Sequence, residues 1–226
     1  MRISILFEDK YIVVIYKPAG LATQTAKVGQ PDVVSELKNH LKGGYVGVVH
    51  RLDQPVEGLL VFGKTKEATA ALSAQLTKGT LNKHYRAVIC GQPKATEGTL
   101  VDYMIKTPDN RAQVVEVPAE QALSEKKDAP KKAVLHYQIL KNISENVFLA
   151  DIHIETGRFH QIRVQMAHAG MPLLGDAKYG TEESGRISRE LGVRNVALCA
   201  CEIALKHPVS GEELRFQIEP KGVIFG

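Results

Sequence analysis

The sequence predicts an α+β fold, a long mixed and largely antiparallel β-sheet flanked by helices and loops. Two observations predict it. Strand-like segments outnumber helical ones, and most follow one another with no helical crossover between them. The 226 residues, 44% of them hydrophobic, suffice for a self-supporting core and are read as one domain, 1–226. No internal repeat or low-complexity segment divides the chain.

Apolar runs over 3–7 and 11–16 surround Glu8-Asp9-Lys10, the pattern of a short hairpin, which Pro18 and Gly20 end. Residues 31–41 read as a helix, with Pro31 in its first turn and Val33, Val34, Leu37 and Leu41 at helical spacing. Gly43-Gly44 stops it. Two strands, 45–49 and 59–62, enclose the segment HRLDQPVEG. The second is apolar on both faces, as in the middle of a sheet. Ala68, Leu72 and Leu76 recur every four residues in a helix over 66–77 that Gly79 terminates. Residues 83–90 form a strand carrying Tyr85.

Between about 106 and 132 the character changes. Pro108, Pro118 and Pro130, with Lys126, Lys127, Lys131 and Lys132, indicate an exposed hairpin or loop insertion rather than a domain boundary. Strands over 133–140 and 147–154 follow; in the second, Phe148, Ala150, Ile152 and Ile154 face opposite to Asp151 and His153. A helix over 158–168 would bring Phe159, Ile162 and Met166 onto one side, with Gly170 closing it. The tail holds strands near 198–206 and 213–218.

A net charge of +4 and a pI near 8.9 are compatible with a polyanionic partner without demanding one. No run of eighteen apolar residues exists, which excludes a membrane-spanning helix. Glu8 and Asp9 interrupt the early apolar stretch and no cleavage site follows it, so a cytoplasmic protein is expected. Cys90, Cys199 and Cys201 do not pair evenly and read as reduced, buried thiols.

Three places carry more polar chemistry than a fold requires. His50-Arg51-Leu52-Asp53 sits in a loop between two apolar strands, where functional groups are commonly held; an isolated Asp there is equally an ordinary turn residue. In ETGRFHQIR (155–163) a strand passes through Gly157 into a helix, and its unpaired N–H groups make a natural anion site. There His160 and Arg163, three apart, would project from one helix face, although a surface helix with ordinary Arg and Gln residues fits as well. In KHYRA (83–87), Tyr85 could be a base-stacking ring or plain strand packing. Motifs for nucleotide phosphates, zinc or a nucleophilic serine are absent. His153, His160 and His168 lack metal-ligand spacing, so neither metal nor cofactor is expected.

Taken together these segments are recognisable. HRLDQPVEGLLVFGKTK resembles the signature of the RluA-like pseudouridine synthases, KHYRA their second motif, and ETGRFHQIRVQMAHAGMPLLGDAKYG their third. LKHPVSGEELRF and the early KPAGL fit as well, so the similarity runs in order over nearly the whole chain. The resemblance implies the pseudouridine synthase fold and a cofactor-free isomerisation of uridine in structured RNA, ribosomal or transfer, by a monomer. It makes Asp53 the catalytic carboxylate, Tyr85 the ring on the target base, and Arg163 the arginine paired with Asp53. Arg51 would enter the space left by the flipped base, and His50, Arg158, His160 and Leu174 would join in substrate binding. An adjacent Arg lowers an Asp pKa by about 1–3 units, and extruding a base costs a few kcal/mol. The sequence departs from the pattern at Val56-Glu57, where Thr-Ser is usual, and it starts almost at the catalytic core without an N-terminal RNA-binding domain. Two other readings stand beside this one: an inactive RNA-binding or assembly factor on the same fold, and a small-molecule hydrolase with a nucleophilic Asp, for which no partner acid or base is visible.

Overall fold

A computed structural model describes residues 2–25, 29–116 and 129–225. They fall into two compact units, one from Met1–Tyr85 and Cys199–Lys221, the other from Arg86–Leu198 and Gly222–Gly226. The chain runs through β1 (Ser4–Glu8), β2 (Ile12–Lys17), α1 (Val33–His40), β3 (Gly47–Val48), β4 (Glu57–Gly63), α2 (Lys66–Thr77) and β5 (Asn82–Cys90). It continues through β6 (Glu97–Lys106), β7 (Ala112–Val115), β8 (Lys131–Ser144), β9 (Val147–Ile154), α3 (Gln161–His168) and α4 (Glu182–Glu190). It ends with β10 (Leu198–Lys206), β11 (Glu213–Gln217) and a 3₁₀ turn, Val223–Phe225. None of these helices is long and apolar enough to cross a membrane.

In the first unit, β1 and β2 form the expected hairpin. The Asp9 carboxylate accepts the N–H groups of Tyr11 and Ile12, both at 2.7 Å, which closes the turn. β4 is buried at all seven positions because it is flanked on both sides: antiparallel to β2 and parallel to β10. The parallel contact needs a glycine. Gly58 has φ +130°, and a Cβ there would lie 2.5 Å from the backbone N and O of Ala200. Thr65 caps α2, and Ala68 and Leu72 bury their side chains among Ile12, Val14, Leu59, Val61, Ile203 and Leu205. The predicted start of α1 is corrected: Asp32 is the N-cap, accepting from Ser35 N at 2.7 Å, so Pro31 precedes the helix.

In the second unit, β9, β8, β6 and β7 are neighbours in that order, each pair antiparallel. α3 lies on these strands through Val164, packed with Met104, Ala112 and Ala133. Buried Gln165 reaches the Asp102 carboxylate at 2.8 Å. α4, closed by a capping box between Thr181 and Ser184, adds Ile187 to a core of Val88, Cys90, Val147, Leu174 and Ala197.

The mixed, largely antiparallel sheet with flanking helices is the α+β fold expected. Several segments differ, and α4 has no predicted counterpart. The 45–49 strand shrinks to two residues, Gly47–Val48, and the Gly47 backbone lies against the Thr69 side chain too closely for a Cβ. The insertion begins as a strand hairpin, β6 and β7, turning at residues 107–111; Lys131 and Lys132 open β8, and Pro118, Lys126 and Lys127 lie outside the described residues. The third helix starts at Gln161, so Phe159 is in the preceding turn and exposed, whereas Ile162 and Met166 are buried as expected. All three cysteines are buried and none is in a disulfide among the described residues.

Candidate active site

The HRLD segment joins β3 to β4, and its shape is set by bonds to the segment that follows β2. Thr23 Oγ1 donates to Leu52 O at 2.9 Å and accepts from Leu52 N at 3.2 Å. Gly20 N donates to Gln54 O at 2.8 Å. Val56 N donates to Asp53 O at 3.0 Å and closes a turn on the aspartate itself. Beneath them β2 ends in Lys17, whose side chain is fully buried in an otherwise apolar strand. Its ammonium donates to Leu21 O at 2.7 Å, Pro18 O at 3.0 Å and Gln54 O at 3.2 Å. The loop that carries Asp53 is therefore held from both sides.

Asp53 is half-buried and Arg51 exposed. Burial pulls Lys17 down to about 8, opposed by the negative charges of Asp53 and Glu57. Burial pushes the Tyr85 hydroxyl well above its ordinary range, and the Asp53 charge pushes it further, so Tyr85 stays neutral. Lys17 and Tyr85 thus both lie within electrostatic range of Asp53 inside this unit. His50 is 8% exposed; Nε2 accepts from Val61 N at 3.3 Å, and among the described residues Nδ1 has no partner. Burial first, then the Lys83 charge, hold this imidazole well below its usual range, hence uncharged. Lys83, two residues before Tyr85 on β5 and so on the same strand face, is also lowered by burial to about 8. Glu57, in the departure from the family pattern, is buried; the Tyr16 hydroxyl donates a short hydrogen bond to it, and Lys221 N donates at 3.2 Å.

The other expected site residues belong to the second unit. Arg163 is buried, and its guanidinium grips Asp176 as a fork, Nε to Oδ2 at 2.7 Å and Nη2 to Oδ1 at 2.8 Å. Asp176 Oδ1 also accepts from Lys178 N and Tyr179 N, at 2.9 and 3.2 Å. The Arg163 guanidinium lies 5.1 Å from the Tyr179 ring centre. Arg158 Nε donates to Lys132 O at 2.9 Å. His160 does not ride on the helix as expected. It is the N-cap in left-handed backbone, φ +53°, a conformation costing roughly 1–2 kcal/mol for an L-residue. A 2.6 Å hydrogen bond between its Nδ1 and the Tyr179 hydroxyl holds it there. Leu174 is fully buried in the core.

Sequence reasoning missed three members of these networks. Lys17 was visible only as a lysine closing an apolar strand, while Asp176 and Tyr179 stand in the turn between Gly175 and Gly180 without any periodic signal. Among the described residues no three His, Cys, Asp or Glu side chains group so as to hold a metal ion.

Comparison with known proteins defines the class. A family profile described as RNA pseudouridylate synthase matches residues 11–168, which include the whole of the HRLD loop, Tyr85 and Arg163. The chain belongs to the RNA pseudouridylate synthase family. It is 34% identical, over 96% of its length, to 69% of "Ribosomal large subunit pseudouridine synthase D" of Zymomonas mobilis. It is 30% identical, over 94% of its length, to 84% of "tRNA pseudouridine synthase C" of Yersinia pestis. Some curated relatives are matched over only 61% of their own length. In fold it resembles the solved "Human RNA Pseudouridylate Synthase Domain Containing 4", with a TM-score of 0.73 and 24% identity, covering 96% of this chain and 88% of that one.

Proposed function

We propose that this chain isomerises specific uridines to pseudouridine in structured RNA, with Asp53 as the catalytic carboxylate and no cofactor. The observation that carries the reading is the position of Asp53: half-buried, on a loop bonded to Thr23, Gly20 and Lys17, within electrostatic range of the neutral ring of Tyr85. In this reaction the N-glycosidic bond breaks, the freed uracil turns, and a ring carbon takes the sugar while its proton is replaced on nitrogen, so no atom is gained or lost.

Each residue has a part consistent with its surroundings. A buried, uncharged Tyr85 offers a flat apolar face to an everted base. Arg51, exposed beside the aspartate, is free to fill the gap that base leaves. The buried Lys17 ammonium holds the Gln54 carbonyl next to Asp53. His50 supports the loop as a neutral imidazole, Arg158 and His160 supply donors toward RNA, and Arg163, buried in its fork with Asp176, is a positioning residue. The names of the relatives support ribosomal or transfer RNA as the substrate class, and we read residues 1–226 as one catalytic domain acting as a monomer in the cytoplasm.

The test is to incubate the purified protein with total RNA from a strain lacking the gene and map pseudouridine. New pseudouridine at one or a few defined uridines is the expected result. RNA that remains unmodified in every fraction contradicts the proposal.

A further inference from the structure

We infer that Phe159 and Lys106 form a stacking platform for an unpaired nucleotide of the RNA, the base lying on the Phe159 ring and its phosphate on the Lys106 ammonium. The inference deepens the proposed function and rests on it. Everything it uses lies in the second unit.

Phe159 belongs to an apolar stripe by sequence, yet it is 38% exposed, unlike Ile162 and Met166. A lone surface phenylalanine needs no explanation; a fixed one in a cationic setting does. Its ring stacks on the His160 imidazole, with centres 3.8 Å apart and planes 23° from parallel. The Tyr179 hydroxyl in turn anchors that imidazole, in a strained left-handed turn. The ring is thus braced from behind rather than loose. Lys106 Nζ stands 4.8 Å from the Phe159 ring centre. Among the described residues no carboxylate pairs with it.

Two positions of the chemistry follow. An exposed cation–π contact is weaker than the stacking of a nucleobase on an aromatic ring, so a base displaces the lysine from the ring face. The flexible lysine stem then carries its charge to the phosphate that arrives with the base. The contact is indifferent to base identity, because every base has a π-face; it selects for an unpaired nucleotide.

The experiment uses the full chain and a short single-stranded RNA bearing one fluorescent adenine analogue, whose emission falls on stacking. Phe159→Ala is expected to weaken binding about tenfold or more and abolish the quench. Phe159→Trp restores both, which a merely structural role would not. Lys106→Gln reduces the slope of log affinity against log salt by roughly 0.7. Phe159→Ala that binds and quenches like wild type, Phe159→Trp that fails as Phe159→Ala does, or an unchanged salt slope for Lys106→Gln overturns the platform. Pseudouridine formation by the wild type is measured in parallel. If product forms but Phe159 has no effect, only the platform falls; if the Phe159 effects hold without product, the platform stands as an RNA site and the isomerase reading falls.

Discussion

The ammonium of Lys17 donates to the carbonyl of Gln54 across 3.2 Å, so the residue next to Asp53 is tied to a lysine buried at the end of β2. The same ammonium holds Pro18 O and Leu21 O. Lys17→Met keeps the side-chain bulk and leaves these carbonyls without their donor, a cost of about 1–3 kcal/mol for a buried unsatisfied group. The expected outcome is a lower urea midpoint together with a single-turnover rate reduced about tenfold or more. RNA affinity should change far less. A wild-type rate in a destabilised variant would make Lys17 a purely structural residue.

The pH dependence follows from the same lysine. Burial lowers its folded value to about 8, below the 10.5 of an exposed lysine. Below pH 8 both folded and unfolded states hold the proton, and the cost of burying the charge is present in full. Between about 8 and 10.5 the unfolded state binds more protons, so stability rises with pH. Over that window the wild type should gain stability relative to Lys17→Met, while its reaction rate falls as the loop loses a charged donor. Lys83, also lowered to about 8, adds a like contribution to both proteins and cancels in the difference. Urea unfolding and single-turnover rates across this range measure the two trends.

In the second unit, Arg163 and Asp176 form a buried fork with two bonds of 2.7 and 2.8 Å. Asp176→Ala removes the partner of a buried guanidinium, and a loss of about 3–5 kcal/mol is expected. Asp176→Asn keeps one acceptor oxygen and should lose less. Thermal melts of the two variants beside wild type give the ranking, and equal melting temperatures for all three would deny the fork a structural role.

Tyr85 is held neutral by burial and by the charge of Asp53. Its ring rather than its hydroxyl should therefore matter. Tyr85→Phe is expected to retain activity within a few-fold, whereas Tyr85→Ala loses a stacking contact worth about 1–3 kcal/mol. Kinetics with one RNA substrate compare them directly, and an inactive Tyr85→Phe would assign chemistry to the hydroxyl.

The sequence made the apolar elements legible and the polar networks much less so. The predicted bounds of α2 match the helix, because its apolar pattern has clear stops, while the predicted 59–62 covers only the apolar centre of β4. β6 was hidden by Asp102, a polar residue turned toward α3, and by the prolines that follow. α4, with Ile187 as its single buried apolar side chain, offers no stripe to detect. At the site, the HRLD loop and Tyr85 were legible through resemblance. The burial of Lys17, the Asp176 fork and the left-handed His160 arise from tertiary contacts between distant segments, which no local pattern encodes. Phe159 shows the converse: helical spacing put it in the core, but the chain enters α3 two residues later and leaves it outside.

The most direct test of the central claim is Asp53→Asn, which preserves the side chain's size and removes its negative charge. Melting temperature, RNA affinity and pseudouridine formation under single-turnover conditions are measured for this variant and the wild type. The expected result is an intact fold, RNA affinity close to wild type and no pseudouridine. Pseudouridine formed by Asp53→Asn at the wild-type rate would contradict the account, because the reaction would then proceed without the carboxylate.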